Sequence, residues 1–304
     1  MSSEVAKRRL VSVVCNQRSG GGKAGRALPK VAARLREGLP NAELHIVTST
    51  SYEQARDLTR SVALTARPGD VVAVMGGDGM AHLGLNACAE TDATLAVIPA
   101  GTGNDLARGA GIPGSINESV EALVRGRTRR LDLSRLTNSS GSRYVGAVVS
   151  SGYDARVNRA TNDIRLRFGA LSYGYIALRE LAAFSPLHYR LTVDGVEREV
   201  SAMMVAIANT GVFGGGMQIA PDADPTDGLL DVTIIHEASR SKLLRLLPSV
   251  YSGKFVTNPV AERFRAKVVK FEGDGLFVMG DGEEMGEVPA TVEAIPGILN
   301  LIVA

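Results

Sequence analysis

A run of apolar residues ends in three glycines around one aspartate in the segment DVVAVMGGDGM, residues 70–80. Glycine adopts backbone angles that other residues avoid, and Gly76, Gly77 and Gly79 would let a ligand reach the main-chain amides directly. An anion is the natural ligand, because a helix starting here would direct its first N–H groups at the same place. Asp78 would repel a bare phosphate, but Mg²⁺ can bridge a carboxylate to phosphate oxygens. The alternative is a tight strand-to-helix turn that Asp78 caps.

Two further glycine-rich segments follow apolar runs, PAGTGNDLARG at residues 99–109 and NQRSGGGKAGR at residues 16–26. The first contains two glycines, a threonine and two residues that can cap a helix: Gly101, Gly103, Thr102, Asn104 and Asp105. The second contains four glycines and two cations that can act as counter-charges: Gly20, Gly21, Gly22, Gly25, Lys23 and Arg26. Three such turns at the ends of three strands predict a phosphate-binding site.

Two common nucleotide motifs do not account for these turns. Gly20, Gly22 and Gly25 fit the dinucleotide pattern G-x-G-x-x-G, but the next strand ends in HIVTST without the acidic residue that binds a ribose hydroxyl. The pattern G-x-x-x-x-G-K-[ST] does not occur, so the chain contains no P-loop.

Composition limits the class of protein. The chain has 304 residues, 45% hydrophobic and 22% charged, which predicts a soluble protein of two domains, and its formal charge of +2 argues against nucleic acid as a partner. Cys15 and Cys88 each lie in an apolar stretch, which favours buried thiols in a reducing compartment. The N-terminal apolar run is too short for a signal peptide, and no run of about 18 apolar residues occurs. We therefore expect a cytoplasmic protein that meets a membrane only at its inner surface.

The pattern of elements changes near Leu131. Before it, apolar runs such as RLVSVVCN, DVVAVMGG and TLAVIPA alternate with helix-like stretches, which is typical of parallel strands covered on both faces. This part is predicted to be a doubly wound α/β domain whose ligand lies at the carboxyl ends of the strands. After it, short strand candidates separated by Gly, Asp and Pro predict a β-rich domain, with helices around residues 163–184 and 241–254.

The motifs resemble those of the diacylglycerol kinase catalytic family, which includes bacterial lipid kinases and, more distantly, sphingosine and ceramide kinases. They occur in the family's order: NQRSGGGKAGR, GGDG with Asn86 downstream, IPAGTGNDLAR, FGGGMQIAPDADPTDGLLDV and GDGEEMGE. The resemblance implies an α/β N-terminal domain similar to NAD kinase and phosphofructokinase, over residues 1–131 with a returning tail at 293–304. It implies a β-sandwich-like C-terminal domain over residues 132–292.

The resemblance also implies roles for individual residues. The positions that match the family's ATP phosphate site are Asn16, Thr48, Gly76, Gly77, Asp78, Gly79 and Thr102. Glu283 matches the catalytic acid that removes a proton from the lipid hydroxyl, with Asp281 beside it. A structural Mg²⁺ site matches Asp227 together with backbone oxygens of Asp224 and Leu229. From the residues alone, GDGEEMGE indicates a polar hairpin, because Asp-Gly is a strong turn signal. PTDGLLDV indicates a turn before a strand, which is compatible with a metal site there.

Three residues depart from the family pattern. Met80 stands where the family has threonine, and His82 and Leu83 stand where it has Asn-Glu. A hydroxyl and a carboxylate are therefore missing near the phosphates, so Asp78 or Asp105 would carry more of the metal. His82 is expected on the helix surface rather than as a ligand.

A kinase for a membrane lipid needs contact with the bilayer, and three stretches are candidates. We expect RGRTRR at residues 125–130 to be a solvated face, and the helix in SKLLRLLPSVYSGK to pack on the second domain rather than lie in the membrane interface. For DARVNRATNDIRLRF, residues 154–168, solvated and membrane-facing interpretations are balanced. Asp154 falls where sphingosine kinases have a residue for the lipid head group.

The expected function is therefore an ATP- and Mg²⁺-dependent lipid kinase, acting on diacylglycerol or a related lipid during transient contact with the membrane surface. Two alternatives stay open: an NAD kinase-like enzyme, and a nucleotide-binding regulator whose catalysis is weakened by Met80 and Leu83. A homodimer is one of the oligomeric states compatible with the sequence.

Overall fold

The computed structural model describes residues 8–153 and 185–304. The chain divides into two units, one of Met1–Leu131 with Gly297–Ala304 and one of Asp132–Pro296. The helix expected around residues 163–184, Asp154 and the arginine-rich stretch that begins there lie outside the described residues. Among the described residues, no helix combines the length and apolar character needed to span a membrane.

The first unit contains four parallel strands: β1 (Leu10–Asn16), β2 (Glu43–Ser49), β3 (Val71–Gly76) and β4 (Thr94–Pro99). Their order in the sheet is β2–β1–β3–β4, and the last residues of β17 (Ala290–Ile302) continue it in parallel beside β4. Every residue of β3 and β4 is buried, which explains why these strands are apolar at nearly every position.

Five helices connect and cover these strands: α1 (Lys23–Gly38), α2 (Tyr52–Leu64), α3 (Asp78–Cys88), α4 (Asp105–Gly109) and α5 (Ile116–Arg125). Ser115 caps the start of α5: its Oγ accepts a hydrogen bond from the Glu118 N–H, and its hydroxyl donates to the Glu118 carboxylate. Alternate residues of β1 and β3 pack on α1 and α5, while Val74 and Leu95 meet α3 on the opposite face. The predicted doubly wound α/β domain is confirmed.

Burial in α3 corrects one expectation. His82 is only 5% exposed, so it is not a helix-surface residue. The helix packs against α2, β3 and β4, which leaves little of its circumference in solvent, and Asn86 lies beside the His82 ring with an Nδ2–Nε2 distance of 3.3 Å. The expected burial of both thiols is confirmed, and desolvation raises the pKa of Cys15 to about 11 and that of Cys88 to about 12.

The second unit is mostly antiparallel sheet. Its strands in chain order are β5 (Thr128–Asn138), which begins in the first unit, β6 (Gly141–Val145), β7 (Val148–Gly152), β8 (Leu187–Val193), β9 (Val196–Ala208), β10 (Val212–Phe213), β11 (Met217–Gln218), β12 (Leu230–His236), β13 (Ala261–Ala266), β14 (Val268–Glu272), β15 (Phe277–Gly280), β16 (Glu283–Glu287) and the first part of β17. Among the residues described in this unit, one α-helix, α6 (Arg240–Val250), precedes a 3₁₀ turn at Lys254–Thr257.

Strands of this unit pair in the order β16–β15–β7–β9–β8–β14–β17, and β12 joins β9 to β13. Side chains from these strands form a core of mainly Val, Leu and Ile. Tyr189 and Phe271 are fully buried in it. This is the β-sandwich-like domain that the sequence predicts. The helix expected at 241–254 packs on it through Leu243, which contacts Met203 and Val260.

Candidate functional site

The three glycine-rich turns follow β1, β3 and β4 and meet at the carboxyl edge of the first unit's sheet. A Cβ built on Gly20 would clash with the Ala100 carbonyl oxygen, and one built on Gly77 would lie 3.3 Å from the Gly101 Cα. The Ala100 N–H donates to the Gly76 oxygen at 2.7 Å. The predicted convergence of these turns on one place is therefore present in the structure.

Consecutive backbone N–H groups in each turn have no acceptor among the described residues. They belong to Gly20 and Gly21, to Asp78 and Gly79, and to Thr102 and Gly103. Two of them are the first amides of α3, where the helix dipole favours negative charge. An edge with six unpaired amides is suited to a polyanion.

Left-handed backbone shapes the first turn. Gly20, Gly21 and Gly22 have φ angles of 59°, 63° and 83°, a sequence of conformations that side chains disfavour. The Asn16 side chain accepts the Arg18 N–H at 3.0 Å, which starts the turn. Arg26, expected as a counter-charge, donates to the Gly21 carbonyl at 3.2 Å.

Asp78 connects the second and third turns. Its Oδ2 accepts the Asn104 N–H at 2.8 Å and its Oδ1 accepts the Asp105 N–H at 2.6 Å. The carboxylate therefore bonds the start of α4 instead of capping its own helix. The Asn104 side chain bonds both backbone groups of Gly101, so it makes no cap of its own.

The remaining predicted positions of this edge differ in exposure. Thr48 lies opposite Cys15 near the end of β2 and is exposed, as is Thr102. Met80 is 3% exposed and its side chain covers Gly76, while Leu83 is 6% exposed. At these two positions, where the chain departs from the family pattern, the side chains are therefore buried between α3 and the elements that it packs against.

Glu283 is the first residue of β16, after a tight turn. Asp281 and Gly282 have φ angles of 50° and 83°, so both central residues of the β15–β16 hairpin are left-handed, as in a type I′ turn. The polar hairpin indicated by Asp-Gly is therefore present. The Glu283 carboxylate is half-buried and makes no hydrogen bond or ion pair with any described residue.

Asp281 is bonded in a different way. Its Oδ2 accepts the Gly146 N–H at 2.9 Å and its Oδ1 accepts the Ala147 N–H at 2.7 Å. From the other side, Asn209 binds the same dipeptide: its Nδ2 donates to the Gly146 oxygen at 3.0 Å and its backbone N–H to the Ala147 oxygen at 2.8 Å. All four polar backbone groups of the Gly146–Ala147 bend are therefore paired. The two Asp281 hydrogen bonds fix the hairpin that carries Glu283 to this bend.

Asn209 is a residue that the sequence reasoning missed. It is 1% exposed at the end of β9, and its Nδ2 also donates to the Asp132 oxygen at 2.9 Å. The available signal is an asparagine that closes the apolar run MMVAIA, because a buried amide requires partners.

The segment proposed for a structural metal forms a turn with oxygen donors. The Asp227 Oδ1 accepts the Leu229 N–H at 3.0 Å, and its Oδ2 lies 3.5 Å from the Arg265 guanidinium. The Asp224 carbonyl accepts the Asp227 N–H at 3.4 Å. Within the described ranges, no cluster of three or more His, Cys, Asp or Glu side chains is arranged to hold a metal ion.

Three arginines of RGRTRR have partners within the first unit. Arg127 donates to the Ala304 carbonyl at 3.3 Å and Arg130 to the Gly297 carbonyl at 3.2 Å, so both hold the C-terminal segment. Arg125 pairs with Glu121 at 3.7 Å.

Comparison with known proteins agrees with this architecture. Residues 10–136 match the diacylglycerol kinase catalytic domain, and residues 147–303 match the YegS C-terminal NAD kinase beta sandwich-like domain. A diacylglycerol kinase of Mycobacterium tuberculosis is 38% identical over 296 residues, covering 96% of this chain and 94% of that protein. A probable lipid kinase, YegS-like, of Stenotrophomonas maltophilia is 29% identical, covering 76% of this chain and 78% of its own length.

A solved structure shows the same fold. A diacylglycerol kinase from Bacillus anthracis str. Sterne superposes with a TM-score of 0.75 at 21% identity, over 98% of each chain. The glycine-rich turns and the β15–β16 hairpin of Asp281, Gly282 and Glu283 agree with these matches. The domain matches and the mycobacterial relative show that this chain belongs to the diacylglycerol kinase family of lipid kinases.

Proposed function

We propose that the chain transfers the γ-phosphate of ATP to the hydroxyl of diacylglycerol or a related membrane lipid. The observation that carries the proposal is the group of six unpaired amides at the edge of the first unit's sheet, in a chain of a lipid kinase family. Phosphoryl transfer depends mainly on positioning the phosphates and neutralising their charge, and backbone amides do both.

Glu283 is the proposed general base. It would accept the proton of the lipid hydroxyl as the oxygen attacks phosphorus, a role that requires a carboxylate free of other partners. Asp281 lies two residues away, but both its oxygens accept backbone N–H groups. We therefore assign Asp281 to positioning the hairpin and only Glu283 to proton transfer.

Mg²⁺, when bound, would neutralise phosphate charge, and the oxygen donors present fit this ion. Asp78 would hold it, because each of its oxygens accepts a single N–H and keeps a lone pair, with Asp105 as the neighbouring carboxylate. A structural ion on Asp227 and the carbonyls of Asp224 and Leu229 would compete with Arg265 for the Asp227 carboxylate.

The test is transfer of labelled γ-phosphate from ATP, with Mg²⁺, into a total lipid extract, followed by identification of the labelled lipid. The proposal predicts a phosphorylated lipid whose parent carries a free hydroxyl. NAD is offered in a parallel reaction, since a labelled NADP product with no labelled lipid would identify an NAD kinase instead. No labelled product together with intact ATP binding would identify a regulator.

A further inference from the structure

The segment from Ala238 to Ala261 contains four cations and no acidic residue. It comprises α6 and the 3₁₀ turn after it, and its cations are Arg240, Lys242, Arg245 and Lys254. The nearest acidic residues in sequence are Glu237 and Glu262. Although the whole chain is almost neutral, this helix is locally basic.

One side of α6 is occupied by the core of its own unit. Leu243 is buried against Met203 and Val260, and Leu246 and Leu247 pack on the same cluster. These contacts pack one side of α6 against the sheet. The opposite side of the helix therefore has a fixed position.

The other side exposes apolar groups among the cations. Leu244 is 42% exposed and Tyr251 is 55% exposed, and both count among the few large exposed apolar side chains of the described residues. They are seven residues apart, two helical turns, so they lie along the same side, with Arg240 one turn before Leu244.

The cations of this surface have no carboxylate partner among the residues described. Other arginines of the same unit are ion-paired: Arg135, Arg190, Arg198, Arg263 and Arg265. An unpaired basic surface with two protruding apolar side chains is complementary to anionic head groups above an acyl layer, where tyrosine and leucine are both accommodated.

We infer that the surface formed by Arg240, Lys242, Leu244, Arg245, Tyr251 and Lys254 docks the protein on an anionic lipid bilayer. The inference rests on the proposed function for its purpose, since a kinase for a lipid must reach its substrate in a membrane. The docking itself is a property of the surface and requires neither ATP nor lipid phosphorylation.

The test is co-sedimentation of the full chain, without nucleotide, with vesicles of phosphatidylglycerol and phosphatidylcholine in equal parts. We expect binding that weakens with salt and is small on pure phosphatidylcholine. The K242A/R245A variant should lose affinity about 30-fold, because each cation near an anionic surface contributes severalfold. The L244S/Y251S variant should also lose affinity, since it removes only the apolar contacts.

The matched control is K30A/R36A, which removes the same charge from exposed positions of α1. Wild-type affinity in this control supports the inference, whereas an equal loss would show a non-specific charge effect and overturn it. Absence of wild-type binding to anionic vesicles, or full binding by K242A/R245A, would also overturn it. Phosphorylation of lipid dispersed in neutral detergent should be unchanged in K242A/R245A, and its absence in wild type would count against the proposed function alone.

Discussion

Three acidic side chains that the sequence assigns to the site differ in what they bind. Asp78 and Asp281 each accept two backbone N–H groups, whereas Glu283 makes no hydrogen bond or ion pair with a described residue. A carboxylate that holds two amides positions backbone, and a carboxylate without partners is available to a proton. The sequence predicts a site role for each of these residues but does not reveal this division.

The division predicts the effect of Asp281→Asn. The amide can accept one of the two N–H groups but presents its own N–H to the other, so the second unit should lose about 1–3 kcal/mol of stability. We expect a lower kcat for lipid phosphorylation with an unchanged KM for ATP, because the nucleotide turns lie in the other unit. Denaturant unfolding and steady-state kinetics measure both effects.

The control is Asp274→Asn, a change of the same size at an exposed turn position. It should leave stability and kcat at wild-type values. A D281N protein as stable as D274N would contradict the proposed role of the Gly146–Ala147 bend.

At the scale of elements, two neighbouring glycines of the first turn separate two reasons for requiring glycine. One reason is close packing against another segment, and the other is a left-handed backbone. Gly20 and Gly21 have nearly equal left-handed φ angles, but a Cβ on Gly20 would strike Ala100 while one on Gly21 would meet nothing within 4 Å. Gly21→Ala should therefore cost about 1 kcal/mol for strain alone. Gly20→Ala should cost more and should also weaken ATP binding.

Isothermal titration with ATP and thermal unfolding of both variants check this pair. Equal losses of affinity and stability in G20A and G21A would mean that the first turn does not pack against β4 as described.

The start of β3 is held by Asp70, which is 3% exposed and accepts the Leu10 N–H at 2.8 Å and the Arg67 N–H at 2.9 Å. Burial alone would raise the pKa of this carboxyl, but these hydrogen bonds and the Arg67 guanidinium outweigh it and lower the pKa. A lowered folded pKa gives stability that is present above the ordinary value near 4. That stability is lost as the pH falls below it.

We therefore expect Asp70→Asn to reduce the free energy of unfolding by about 1–3 kcal/mol at neutral pH. The difference from wild type should shrink as the pH falls through about 4 toward 3, as measured by urea unfolding across that range. Asp57→Asn, at an exposed ion pair with Arg56, serves as control. A difference between D70N and wild type that is independent of pH would contradict the assignment.

For the whole molecule, the sequence predicts the α/β unit, the β-rich unit and the positions of the glycine turns, because apolar runs and glycine clusters are local signals. Contacts between distant segments are not local and were not predictable. The Asp78 bonds to Asn104 and Asp105 join residues 26 and 27 positions apart, and Asn209 reaches Gly146 across 63 positions. The burial of His82 likewise depends on α2, whose packing the pattern of α3 does not show.

The central claim is that phosphates held by the turns react with a lipid hydroxyl that Glu283 deprotonates. The most direct measurement is the single-turnover rate of phosphate transfer from ATP to diacylglycerol for wild type, Glu283→Gln and Glu284→Gln. Glu284 is the exposed neighbour on the same strand, so E284Q should retain the wild-type rate. E283Q should bind ATP normally and lose at least about 100-fold in rate; a wild-type rate in E283Q, or no transfer by the wild-type protein, would contradict the claim.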